Sequence, residues 1–240
     1  MKNKIILWLT IFSIAMAYME SAVVIYLRKI YYPDGFQFPL VPLDASIGVV
    51  EILREAATII ILLSIAVLST KKNSLQFASF IFCFAVWDLF YYFFLWLLLG
   101  WPESLFTSDI LFLIPFPWVG PVLAPCLVSL TMMLLALSVI YFKNSGYQTR
   151  LKVKEWSLLV VGSLVIITSF MWDYLHYMQQ QQQQSFEEAN ALSGELNKLN
   201  TMTSFVPDIF NWPMFLAGES LLLLGIILFI SRTKKGKRLL

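Results

Sequence analysis

The chain has 240 residues, of which 59% are hydrophobic, 16% aromatic and only 13% charged, with a formal net charge of +2. Soluble domains carry roughly a quarter of charged residues, so this composition excludes a soluble globular enzyme and a nucleic-acid-binding module, and implies an integral membrane protein in a lipid bilayer. The two cysteines, Cys83 and Cys126, form no CxxC pair and give no redox-compartment signal.

A basic start, Lys2 and Lys4, leads into an apolar run over residues 5–27, long enough to span at about 20 residues per crossing. Ala15-Met16-Ala17 resembles a signal-peptidase site, but the hydrophobicity continues past it through Tyr26, which favours a retained first span. Residues 28–46 hold Pro33, Asp34-Gly35, Pro39 and Pro42 among aromatics, the make-up of a folded loop at a membrane surface. A second span covers 47–69 and a third 75–99. Residues 100–117 are broken by Pro102, Pro115 and Pro117 and too short to cross twice, so a re-entrant or interfacial element is expected.

The fourth span covers 119–142, with Pro121 and Pro125 near its start, where a missing N–H costs least. The fifth covers 156–178, and six glutamines, Gln179–Gln184, then open a polar stretch over 179–203, read as a solvated loop or helical extension. The sixth covers 209–230. The expected fold is an all-α polytopic bundle of six transmembrane helices forming one domain. Thirteen of the seventeen Lys and Arg fall at the N-terminus, in 70–74, in 143–155 and in the tail. Basic segments stay on the cytoplasmic side, so both termini are expected there, in a multi-pass protein of the plasma (inner) membrane.

Ionisable residues inside these spans stand out, because each costs roughly 2.5–3.5 kcal/mol at membrane depth on insertion scales. With about 1.5 Å of rise per residue, Glu20, Glu51, Arg54, Glu55, Asp88, Asp173, His176 and Glu219 all fall in the outer half of the bilayer or near its middle. Glu51, Glu55 and Thr58 share one helical stripe, flanked by Arg54, and Asp88 and Tyr91, like Asp173 and His176, lie three apart on one face. Trp87-Asp88-Leu-Phe-Tyr91-Tyr92 also parallels Trp172-Asp173-Tyr-Leu-His176-Tyr177, a match too short to establish a repeat.

Six carboxylates (Glu20, Glu51, Glu55, Asp88, Asp173 and Glu219) therefore face one fixed cation, Arg54, and one imidazole, His176. Either several acids carry protons, or the site holds a cation. Asp173-x-x-His176 has the spacing by which helical bundles ligate metals, and Glu20, Glu51, Glu55, Asp88 and Glu219 would supply oxygens. A second Glu-x-x-His is missing, so a single hard-cation site fits equally well. Arg54 would be the counter-charge or an anchor for a substrate anion, with Thr58, Tyr91 and Tyr92 supplying hydrogen bonds. The plainest structural account of Arg54 is an ion pair with Glu51 or Glu55.

The sequence has no Gly-rich phosphate loop, HExxH or GxSxG, so neither a nucleotide-driven pump nor a familiar membrane protease is indicated. Two readings remain. One is a metal- or proton-handling component of a membrane redox or transport system. The other is a non-catalytic accessory or assembly subunit of a larger membrane complex.

Overall fold

The structure, a computed structural model, describes residues 3–42, 44–114, 116–187, 205–207 and 210–236. Its elements in chain order are α1 (Asn3–Tyr31), α2 (Ala45–Ser69), α3 (Asn73–Leu99), β1 (Ser108–Phe112), β2 (Trp118–Pro121), α4 (Leu123–Asn144), α5 (Val153–Glu187) and α6 (Trp212–Lys235). All six helices contain a stretch long and apolar enough to cross a membrane, making this a multi-pass membrane protein.

Local chemistry sets several of the boundaries. The Asp44 carboxylate accepts the Ser46 N–H at 2.8 Å and caps α2. These hydrogen bonds hold that exposed carboxyl below its ordinary range. Gly100, in the left-handed region at φ 66°, ends α3 with its N–H on the Trp96 carbonyl. Asn211 accepts the Met214 N–H to open α6, with Pro213 in the first turn.

α3 is the central helix, packed against α1, α2 and α4, which explains why so much of its circumference is buried. α2 rests on α3 and touches α1 slightly. Its buried stripe is Glu51, Glu55, Thr58, Leu62 and Ala66, whereas Ile52, Leu53, Ile60, Leu63 and Leu68 are exposed. The buried face is thus more polar than the outer one, the pattern of a helix whose surroundings are lipid and whose polar groups must find partners inside.

α5 and α6 form the other strong pair. Gly162 and Gly218 let their backbones approach: a Cβ on either would lie 2.9 Å from the other's carbonyl oxygen. At one end of the pair, Arg232 donates to both Glu155 oxygens at 2.6 and 2.8 Å, while the Lys152 N–H donates to Glu155 at 2.7 Å.

The segment expected as a re-entrant or interfacial element, residues 100–117, contributes β1 to an antiparallel β-hairpin with β2. Asp109 pairs with Gly120 and Ile110 with Val119, and the register shifts between Ile110 and Phe112. Residues 119–121, expected at the start of the fourth span, belong to β2, and α4 begins at Leu123. Local strand pairing claims these residues because Pro121 and Pro125 weaken a helix start further upstream. α1 runs four residues beyond its expected end, and α5 continues through the glutamines to Glu187, so the first part of the 179–203 stretch is helical. Residues 188–203 lie outside the described residues.

Candidate functional site

β2 packs on α5, and the hairpin sits at the end of the bundle where α1 and α3 finish and α2 begins. Beneath it lies a cavity of about 920 Å³. Five buried or half-buried carboxylates line it, Glu20, Glu51, Glu55, Asp88 and Asp109, together with two guanidiniums, Arg28 and Arg54. A further acid, the exposed Asp44, stands at the rim and caps α2.

Each charge has a traceable origin. Glu51, Arg54, Glu55 and Thr58 come from consecutive turns of α2, so they reach the same wall. Arg54 bridges α2 and α1. Its Nη2 donates to Glu51 Oε2 at 2.6 Å, its Nε to the same oxygen at 3.0 Å, and its Nη1 to Glu20 Oε1. The Thr58 hydroxyl lies 3.1 Å from the second Glu20 oxygen and 3.1 Å from the Arg54 carbonyl. Both Glu55 oxygens lie 3.1 Å from the Leu113 N–H, which ties α2 to the residue after β1. On α3, Asp88 accepts from Ser129 of α4 at 2.8 Å. Ser21 donates to the Tyr91 carbonyl at 3.1 Å and fastens α1 to α3 beside this group.

Sequence reasoning missed a second buried ion pair. Arg28, counted there as an outer-loop charge, lies in the last turn of α1 and is only 8% exposed. Its Nη2 donates to Asp109 Oδ1 at 2.9 Å, and its guanidinium lies 3.7 Å from the Trp101 ring centroid and 4.3 Å from that of Phe36. Asp109, in β1, is 1% exposed. Burial pushes its carboxyl above the ordinary range, and Arg28, the Ile110 N–H and the Tyr92 hydroxyl pull it back. The available signal was a lone acid beside the apolar Ile110-Leu111-Phe112.

The other three expected site residues lie elsewhere. Glu219 of α6 is buried and accepts from Thr131 of α4 at 3.1 Å. Thr131 lines the cavity, and Glu219 does not. On α5 it is Tyr174 that lines the cavity, whereas Asp173 is half-buried and His176 is exposed, with Gln180 Nε2 3.3 Å from its Nδ1. Thus Glu20, Glu51, Glu55, Asp88 and Arg54 share one cavity with Thr58, Tyr91 and Tyr92, while Asp173, His176 and Glu219 stand off its wall. Among the described residues, no three of His, Cys, Asp and Glu are grouped so as to hold a metal ion.

The electrostatics follow from the pairing. Arg28 and Asp109 neutralise each other, and Arg54 is shared between Glu20 and Glu51. Glu55 and Asp88 receive hydrogen bonds from neutral donors. Five carboxylates against two guanidiniums leave three negative charges in excess when all are ionised. Compared with models of known families, with curated proteins and with solved structures, the chain matches none.

Proposed function

We propose that this chain handles protons or a cation at the acidic cavity, as a component of a membrane transport or redox system, with both termini cytoplasmic and the cavity in the outer half of the bilayer. The orientation rests on the thirteen basic residues that cluster on one side of the six spans. The observation that carries the functional reading is the excess of carboxylates over guanidiniums around one cavity.

Three uncompensated charges in a low-dielectric cavity are too costly to persist, so exchangeable protons or a cation complete the charge balance. The acids are spread around a large cavity instead of converging on a point, which favours protons or an organic cation over a directly ligated metal. Glu55 and Asp88 carry two of the three charges and are the exchanging groups in this reading, because neither has a guanidinium partner, while the third is shared by Glu20 and Glu51 around Arg54. Glu20, Glu51 and Arg54 form a fixed frame beside them, and the Arg28–Asp109 pair holds the hairpin over the cavity.

Liposomes containing the purified protein and an internal pH-sensitive dye test this. An imposed gradient of a small organic cation is expected to drive proton movement with the wild type, and Glu55→Gln or Asp88→Asn is expected to abolish it. A rate equal to that of protein-free liposomes would overturn the reading.

A further inference from the structure

The cavity is long as well as acidic. On α3 it reaches from Tyr92 to Phe77, fifteen residues and so about 22 Å of helix. Its acids all lie toward the hairpin end, whereas the far part is lined by Phe77, Phe80, Trp156, Leu159 and Ile226. Nothing in that deeper half offers a charge to a small ion. A chamber that is acidic at one end and hydrocarbon-like for the rest has the polarity of an amphiphile.

Its side wall is open in a particular place. α2 and α5 both line the cavity, and among the described residues they pack against each other slightly at most. Ile52 of α2 and Val160 and Leu164 of α5 line it and are also 45%, 49% and 57% exposed on the outer surface. Residues that touch both the interior and the lipid-facing surface mark a mouth, and this one faces sideways, where a bilayer would lie.

A second observation points to what the head of such a molecule carries. The acids of the cavity stand beside aromatic side chains, Trp87, Tyr91 and Trp118. An ammonium head answers the excess of negative charge and suits such aromatic surroundings.

We propose that the cavity binds a long-chain amphiphile with an ammonium head, which enters from the bilayer between α2 and α5, lays its chain along the apolar half and sets its ammonium against Glu55 and Asp88. This rests on the reading that the species balancing the acids is exchangeable, and it names that species' class.

Thermal unfolding in a neutral detergent, with N-hexadecylethanolamine, hexadecylamine, hexadecanol, hexadecanoate and ethanolamine as separate additives, provides the test. N-hexadecylethanolamine and hexadecylamine are both expected to stabilise the protein, with the other three without effect at the same concentrations. Asp88→Asn is expected to raise the half-saturating concentration of N-hexadecylethanolamine by about tenfold or more, the loss of one charge-assisted hydrogen bond. Val160→Trp, which fills the mouth and touches no acid, is expected to abolish its binding.

Equal binding of hexadecanol or hexadecanoate would overturn the proposal. So would ethanolamine binding as tightly as its hexadecyl derivative, although that result would leave the proton- or cation-handling reading standing. Mass spectrometry of the organic extract of purified protein separates the sources: an amine-headed lipid at one per chain identifies a bilayer lipid, and its absence alongside binding of added N-hexadecylethanolamine identifies a ligand from outside.

Discussion

Replacing Asp109 with Asn removes the charge that answers Arg28 while keeping the shape of the side chain. The two side chains meet at 2.9 Å with relative exposures of 9% for Arg28 and 2% for Asp109. Breaking a buried ion pair by deleting one partner costs about 3–5 kcal/mol, because the surviving charge stays buried. The survivor's contacts with Trp101 at 3.7 Å and Phe36 at 4.3 Å are present before and after the substitution, so they leave that range unchanged. The loss should therefore be about 3–5 kcal/mol, a shift of roughly a hundredfold or more in the folded-to-unfolded ratio. The double replacement Arg28→Met with Asp109→Leu leaves no unpaired charge and should lose less than half as much. Reversible unfolding in mixed lipid micelles titrated with a denaturing detergent, followed by circular dichroism, gives the three free energies. The reasoning fails if Asp109→Asn unfolds within about 0.5 kcal/mol of wild type, a surface-like value, or if the double variant loses as much as the single one.

Gly218→Ala sets a methyl group 2.7 Å from Ile166 Cγ1 and 2.9 Å from the Gly162 carbonyl, and is expected to cost about 1–3 kcal/mol in the same unfolding assay by forcing α5 and α6 apart. Glu155→Gln, which removes the charge under Arg232, should lose about 1–3 kcal/mol without changing proton movement in liposomes, since the pair lies outside the cavity. Asp173→Asn and His176→Ala are expected to leave the liposome rate at its wild-type value. Elemental analysis of gently purified wild type and both variants checks the metal alternative, which gains if a stoichiometric transition metal is present and is lost in either variant.

The helices were legible because lipid demands long unbroken apolar runs, and the misplaced start of the fourth helix was the informative boundary. Pro121 read as a tolerated first-turn proline, whereas it closes β2 opposite Ser108; strand pairing across an intervening turn leaves no periodic trace in four or five residues. Within the site, Glu51, Arg54, Glu55 and Thr58 could be grouped because one helix fixes their relative positions. Asp88 and Glu20 could be added because an intramembrane acid must find company. Arg28 escaped because the first span was ended at residue 27, which left it in a surface loop, and only the return of the hairpin buries it against Asp109. Asp173 and His176 show the opposite failure. Their spacing places them on one face of α5, but helix rotation is set by packing against neighbours, and it is Tyr174 that this rotation directs to the cavity.

The claim on which the rest depends is that exchangeable species neutralise the acids around the cavity. Infrared spectroscopy of the protein in lipid nanodiscs at neutral pH, with the spectra of Glu55→Gln and Asp88→Asn subtracted from that of the wild type, measures their protonation directly. The account predicts a protonated-carboxyl band that both substitutions reduce and that an added amine-headed amphiphile converts to carboxylate absorption. Fully ionised Glu55 and Asp88, with spectra indifferent to the added amphiphile, would contradict it.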